Sequence, residues 1–424
     1  VKDTSGNSAA PSSLYAAIKS APADCGTFTD PTQKGYCQFT KWQLSIAQAV
    51  GVAPANVVVT WSYSTQSVQD TYRALAANVP AQAIGVQPTG LTTKQADARL
   101  QGKANIYVGT TVVPYYLTKP TSTTDRVVLS NVWQAAGPSP VPGLDPTSRE
   151  VTRFNPFPGK TADATIPLLV TAPNATAAGG TGAKPTAGWP VVIGQHTISG
   201  DRTQALAVAD SYADACFVLA AIDLPLHGIT NTTSPLYQAA NERTFNLDLF
   251  NNTTSLPPGD KIIDTAGTNF LNLQSGATLR DNLRQSVADL IVFEKSVAKL
   301  DLTGDGVSDI DPARINFVGL SLGGIVGGPY VAYAGKTATA VLSASGGVFT
   351  QLLLDSATLG PRVVAAIGAP STYSAGGVNY PLGYTLAARS TQFNNLIRDL
   401  QTAVDSGDPI NHIKDATTMH PVHL

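Results

Sequence analysis

The sequence predicts an α/β protein with a mostly parallel sheet, preceded by a β-rich N-terminal module and interrupted by lid-like insertions. Two observations carry the prediction. From Trp189 onward, short apolar runs alternate with segments of helical pattern, which is the signature of strand–helix–strand units. The runs are also unbroken rather than alternating polar and apolar, as expected of parallel strands covered on both faces.

The elements follow in order. Residues 57–65 read as a strand and 67–77 as a helix, and 105–113 as a second strand. A loop at 119–153 is punctuated by Pro120, Pro138, Pro140, Pro142 and Pro146. A strand at 164–171 and a Gly/Ala/Thr loop at 172–188 lead to the strand 190–194. Then come a helix at 203–215, a strand at 216–222 and an insertion at 229–275. The helix 281–300 carries Leu283, Val287, Leu290, Ile291 and Val297 on one face. The strand 315–318, a small-residue helix at 322–334 and the strand 338–343 follow, then a second insertion at roughly 348–400. The expected domains are a β-rich, possible Ig-like module at 1–80, a β-rich segment at 81–188 leading into the main sheet, and an α/β domain at 189–424.

Composition narrows the class. The chain has 424 residues, of which 43% are hydrophobic, enough for a large core. Charged residues make up only 13%, about half the usual share, and the net charge is −2. Bulk charge therefore attracts neither nucleic acid nor an anionic membrane. Apolar runs never reach 18 residues, so no transmembrane helix is expected. The start at Val1-Lys2-Asp3 and the hydroxyl-rich composition suggest an exported protein whose leader has been removed, secreted or held at the outer surface, with a lipid anchor left open. In such a protein Cys25 and Cys37, separated by a turn-rich loop, are expected to pair. The alternative is two small buried thiols.

The chemistry-bearing motif is Gly319-Leu320-Ser321-Leu322-Gly323. The pentapeptide alone is weak, but it follows an apolar strand and opens a helix of small residues, which is the context a nucleophile elbow needs. Ser321 is the candidate nucleophile. The Leu322 N–H, at the helix start, would face a developing oxyanion. Gln195-His196-Thr197-Ile198-Ser199-Gly200, directly after the strand 190–194, is the candidate second oxyanion element. Ile198 N–H is the first choice of donor and Thr197 N–H the second; a plain strand–helix loop with a structural His196 is the alternative. Asp223-Leu224-Pro225-Leu226-His227-Gly228 reads as a turn in which His227 stabilises the backbone.

These motifs in this order resemble the bacterial virulence-factor lipases, exported esterases of the α/β-hydrolase superfamily. The resemblance extends to Trp61-Ser62-Tyr63-Ser64-Thr65-Gln66, Val113-Pro114-Tyr115-Tyr116-Leu117, Gly188-Trp189-Pro190-Val191-Val192 and Arg280-Asp281-Asn282-Leu283-Arg284-Gln285. It implies an α/β-hydrolase fold and action on acyl esters of lipids, with Thr197 departing from the family's usual Gly.

A serine hydrolase also needs a His base and an orienting carboxylate. No Asp–His order after Ser321 fits, and His420 to Leu424 read as the start of a late strand. The acid and base are therefore expected beyond Leu424, on a further segment or a retained C-terminal fragment, with His412 as the fallback base. No cofactor is expected for catalysis. Asp301, Thr303, Asp305, Asp309 and Asp311 form a candidate structural Ca²⁺ loop, against the alternative of an Asx-rich turn, because Pro312 stands where the bidentate acid of an EF-hand belongs. Phe245, Leu247, Leu249 and Phe250 in the first insertion, with Leu352, Leu353 and Leu354 in the second, are candidate acyl-chain contacts. The reading is a carboxylic ester hydrolase for lipid esters or extracellular polyesters, a small-molecule or polymeric ester being its partner. A surface binding protein on a hydrolase scaffold and a peptidase of the same fold are the alternatives.

Overall fold

The computed structural model describes residues 4–6, 9–62, 66–141, 147–177, 182–254, 257–272, 275–357, 360, 371–375, 378–382 and 391–424, with backbone alone for 371–382 and for Gln392. The chain divides into two compact units, 1–66 and 67–424.

The first unit is helical. Asp30 caps the helix α2 (Pro31–Ala49) by accepting from Gln33 N–H at 2.9 Å, and Pro31 occupies the first helical position, where its missing N–H costs nothing. The helix α1 (Ser13–Ser20) is capped by Ser12. A Cys25–Cys37 disulfide joins the two segments, and Ile18, Ala21 and both cysteines form the small core. This corrects the expected β-rich module. The described part of the expected strand, 57–62, is irregular. Its side chains bond instead to α2: Thr60 Oγ1 donates to Gln43 Oε1 at 2.6 Å, and Gln43 Nε2 donates to Ser62 Oγ at 2.7 Å. A strand requires a ladder partner, and a β-branched run in sequence does not supply one. Residues 63–65 lie outside the described residues.

The second unit is built on an eight-stranded sheet in the order β1-β2-β3-β5-β4-β6-β7-β10. The strands are β1 (Ile84–Thr92), β2 (Ala104–Tyr115), β3 (Ala162–Pro173), β4 (Trp189–Gln195), β5 (Val218–Ile222), β6 (Ile310–Leu320), β7 (Thr337–Ser343) and β10 (Val422–His423), while β8 (Ser371–Ala375) and β9 (Val378–Leu382) form a separate hairpin. Pairing is antiparallel from β1 to β5, then parallel from β5 through β4, β6 and β7 to β10. The segment 81–188 thus contributes strands to the same sheet as the motif-bearing part.

Strand period two sorts the core. Val191, Ile193, Val218, Ala220 and Ile222 face the main core with the helices α6 (Gly276–Val297) and α7 (Leu322–Tyr333). Val192 and Leu219 face Ala209 of α5 (Leu206–Asp214) on the other side. Helix α6 departs from its expected single apolar face, since its polar residues are buried too. Gln285 bonds to Tyr116 N–H and Pro114 O, and Glu294 accepts from Gly335 N–H, Lys336 N–H and Thr337 Oγ1. The helix is an internal pillar whose polar face serves neighbouring backbone. With helices on both faces and a strand–turn–helix at Ser321, the unit has the α/β-hydrolase fold. Among the described residues no helix is long and apolar enough to cross a membrane.

Candidate active site

Strand β6 ends at Leu320 and α7 begins at Leu322, so Ser321 alone makes the turn. Its backbone has φ 53° and ψ −112°, a conformation that costs an L-residue strain. The turn is held by Ser321 N–H donating to Ser343 O and Ile325 N–H donating to Ser321 O, each at 2.9 Å. The flanking glycines are required by close approach. A Cβ on Gly319 would sit 2.3 Å from Gly323 O, and one on Gly323 would sit 2.3 Å from Gln195 O and 2.9 Å from His196 O. The second contact packs the start of α7 directly against the end of β4, next to the loop at 196–200. Leu322 N–H belongs to the first helical turn and has no intrahelical acceptor.

The loop at 196–200 is strongly ordered by its own hydrogen bonds. Thr197 N–H donates to Gln204 Oε1 at 2.9 Å, and Gln204 Nε2 returns a bond to Thr197 Oγ1 at 3.0 Å. The Thr197 donor is therefore occupied, which leaves Ile198 N–H as the oxyanion candidate of the two. His196 Nε2 accepts from Leu224 N–H at 3.0 Å, so the ring proton sits on Nδ1 and donates to Thr197 O at 2.8 Å. Burial lowers the His196 pKa to about 4, keeping this tautomer neutral. Gln204 was invisible as a functional residue in the sequence, because nothing in its neighbourhood marks it as the loop's partner.

Behind the loop lies a buried ionic network. Arg202 reaches Asp223 Oδ2 at 2.5 Å and Glu242 at 2.6 Å, and also donates to Leu236 O at 2.7 Å. It ties the turn after β5 to the 229–275 insertion. That insertion is packed rather than open: Leu247 and Leu249 are buried in the main core, with Phe245 and Phe250 against it. The expected acyl-chain contacts in this segment are core residues. In the second insertion, Leu353 is buried, Leu354 is partly buried and Leu352 is exposed on α8 (Phe349–Asp355). Much of 358–390 lies outside the described residues.

All five histidines of the sequence are placed, and none of their rings bonds to Ser321. His412 Nδ1 bonds to Tyr333 Oη at 2.9 Å and its Nε2 lies 3.1 Å from Ser406 O. Tyr333 ends α7 and Ser321 precedes it, so the two ends are about 18 Å apart at 1.5 Å per residue. Both ring nitrogens of His412 thus meet partners other than Ser321, and burial lowers its pKa to about 4. His420 Nε2 lies 3.1 Å from Ala334 O, at the same far end. His423 pairs with Val341 of β7, two strands from the elbow, or about 10 Å.

The 301–311 loop does not gather its oxygens for an ion. Asp301 accepts from Gly304 and Gly306 N–H, at 2.6 and 2.7 Å. Asp309 accepts from Leu302 and Thr303 N–H and pairs with Lys184, Asp305 accepts from Val307 N–H, and Asp311 pairs with Arg314. Thr303 Oγ1 donates to Asp301. Among the described residues no group of three or more His, Cys, Asp or Glu is placed to hold a metal. The Asx-turn alternative describes the loop.

No family model matches the chain, and no curated protein matches it by sequence. Solved structures do. An acetyl xylan esterase from a Paenibacillus species is 11% identical over 86% of this chain and 89% of that one, with a TM-score of 0.40. An acetyl xylan esterase from a Thermoanaerobacterium species is 11% identical over the same shares, with a TM-score of 0.37. A glucuronoyl esterase from Solibacter usitatus is 13% identical over 68% of this chain and 65% of that one, with a TM-score of 0.28.

Proposed function

We propose that the chain is a serine carboxylic ester hydrolase, of the exported lipase type, acting on lipid acyl esters or extracellular polyesters. The observation that carries the reading is the backbone of Ser321, held at φ 53° between a buried strand and a helix start, where glycine would make the same turn without strain. Among the described residues its Oγ has no hydrogen-bond partner. Such strain at the C-terminal edge of a sheet is what a presented nucleophile requires.

In this reading Ser321 Oγ attacks the acyl carbonyl, the carbonyl oxygen gains charge against Leu322 N–H and Ile198 N–H, the alcohol leaves, and water releases the acid. No cofactor enters these steps. The His base and its carboxylate are taken from outside the 424 residues, because every histidine within them is placed away from Ser321. A retained C-terminal fragment is the partner this implies.

The test is intact mass before and after a fluorophosphonate probe, with hydrolysis of nitrophenyl esters from acetyl to palmitoyl measured alongside. One probe mass, lost in Ser321→Ala, supports the reading, and chain-length preference then separates short-acyl from lipid substrates. A protein whose intact mass includes a segment beyond Leu424, yet which neither labels nor turns over ester, sinks it in favour of a binding scaffold, and turnover of amides but not esters sinks it in favour of a peptidase.

A further inference from the structure

We propose that His227, from the turn after β5, is the positioning residue that sets the oxyanion loop and couples the 229–275 insertion to it. The inference rests on the reading of Ser321 as a nucleophile.

The oxyanion candidate is the N–H of Ile198, which lies in the Thr197–Ile198 peptide plane; the dihedrals of Ile198 join that plane to the following Ile198–Ser199 plane, so holding the second braces the first. The Thr197–Ile198 peptide is pinned at Thr197 O by His196 Nδ1–H at 2.8 Å and by Gly200 N–H at 3.1 Å. The following peptide is pinned at Ile198 O by His227 Nε2 at 2.7 Å. A peptide unit is planar with its C=O and N–H antiparallel, so fixing both carbonyls removes both rotations about Ile198. One imidazole comes from the loop itself. The other comes from a turn 29 residues further along the chain.

His227 is fully buried and wedged between two rings, His196 at 4.9 Å and Phe270 at 5.1 Å. Phe270 belongs to the insertion. So does Gly267, whose added Cβ would lie 1.9 Å from Ile198 O and 2.5 Å from His227 Nε2. Gly267 N–H also donates to Leu226 O at 3.0 Å. The end of the insertion thus closes over the His227–Ile198 bond, and in that dry setting the bond is stronger than in water. The plain alternative is a core histidine that satisfies its own turn, since Nδ1 also lies 2.7 Å from Pro225 O. Burial keeps the ring neutral, with its pKa lowered to about 3, so one proton serves one carbonyl at a time. The inference requires that proton on Nε2.

The experiment has two parts, both on the full chain. Ring ¹⁵N shifts of histidine-labelled protein at neutral pH, assigned by loss of one signal set in His227→Phe, report which nitrogen carries the proton. Protonated Nε2 is expected, and protonated Nδ1 overturns the inference. His227→Phe keeps the ring between His196 and Phe270 but removes the donor, whereas His227→Gln restores one. The Phe variant is expected to lose about 10- to 100-fold in kcat and in probe-labelling rate, with KM within twofold, and the Gln variant to recover most of it. Unchanged kcat in a folded Phe variant overturns the positioning role while Ser321 labelling stands. A wild-type protein that retains a segment beyond Leu424 but neither labels nor turns over ester overturns the functional reading instead, and the ring-nitrogen measurement still decides the pin.

Discussion

Replacing Ser321 by glycine should make the protein more stable than replacing it by alanine. At φ 53° and ψ −112° the residue lies outside the left-handed helical well that polar residues sometimes occupy, in a region suited to glycine. Strain of this kind costs about 1–3 kcal/mol. Alanine keeps it, because it keeps Cβ. Glycine relieves it, but loses about 0.4–1 kcal/mol through the greater entropy of its unfolded chain. The expected difference is about 0–2.6 kcal/mol, with a mid-value of about 1.3 kcal/mol, in favour of Ser321→Gly. At about 2.1 cal/mol/K per residue, the unit 67–424 unfolds with an entropy near 0.75 kcal/mol/K, so the mid-value corresponds to a Tm gap of only about 2 °C. Urea midpoints at constant m are therefore the better assay. A glycine variant weaker than the alanine variant would refute the idea that the elbow stores strain at this residue, and with it the observation on which the functional reading rests.

Two further outcomes follow from the same geometry. Gly323→Ala should lower stability by about 1–3 kcal/mol and slow probe labelling, because its Cβ meets the Gln195 and His196 carbonyls, which are backbone and yield only by moving β4 away from the elbow. Normal stability with normal labelling would show that the close approach is not needed. Acid should also destabilise the protein early. His196, His227 and His412 have pKa values lowered by burial to about 4, 3 and 4, so the unfolded chain binds protons below about pH 6.5 that the folded chain refuses. Stability is then full above about pH 6.5 and falls as pH drops toward 4, at no more than about 4 kcal/mol per pH unit for three rings. Asp223, Glu242 and Asp289, whose carboxyls are pushed up by burial, offset part of that loss by taking up protons in the folded state. Denaturant midpoints that stay flat from pH 7 to 4 would refute the buried neutral assignment.

The sequence by itself determined the parallel half of the sheet and the elbow. Parallel strands are apolar on both faces, and the glycine–serine–glycine turn sits at a strand–helix junction, so the signal is local and read by period alone. It misjudged the first 66 residues, where the β-branched run Val57–Thr60 has no ladder partner and Asp30-Pro31, a readable helix start, opens the dominant helix instead. It overlooked β1, whose Gly85, Pro88 and Gly90 hide a strand that exists only because β2 offers an edge. Tertiary structure alone decided the partners of the 196–200 loop, because Gln204 takes the Thr197 N–H from 7 residues away and His227 meets the Ile198 carbonyl from 29. It also decided that His412 is a core residue and that the 301–311 carboxylates serve their own backbone. Those choices depend on which N–H and C=O groups burial leaves in need of a partner, and that need arises only once the chain has folded.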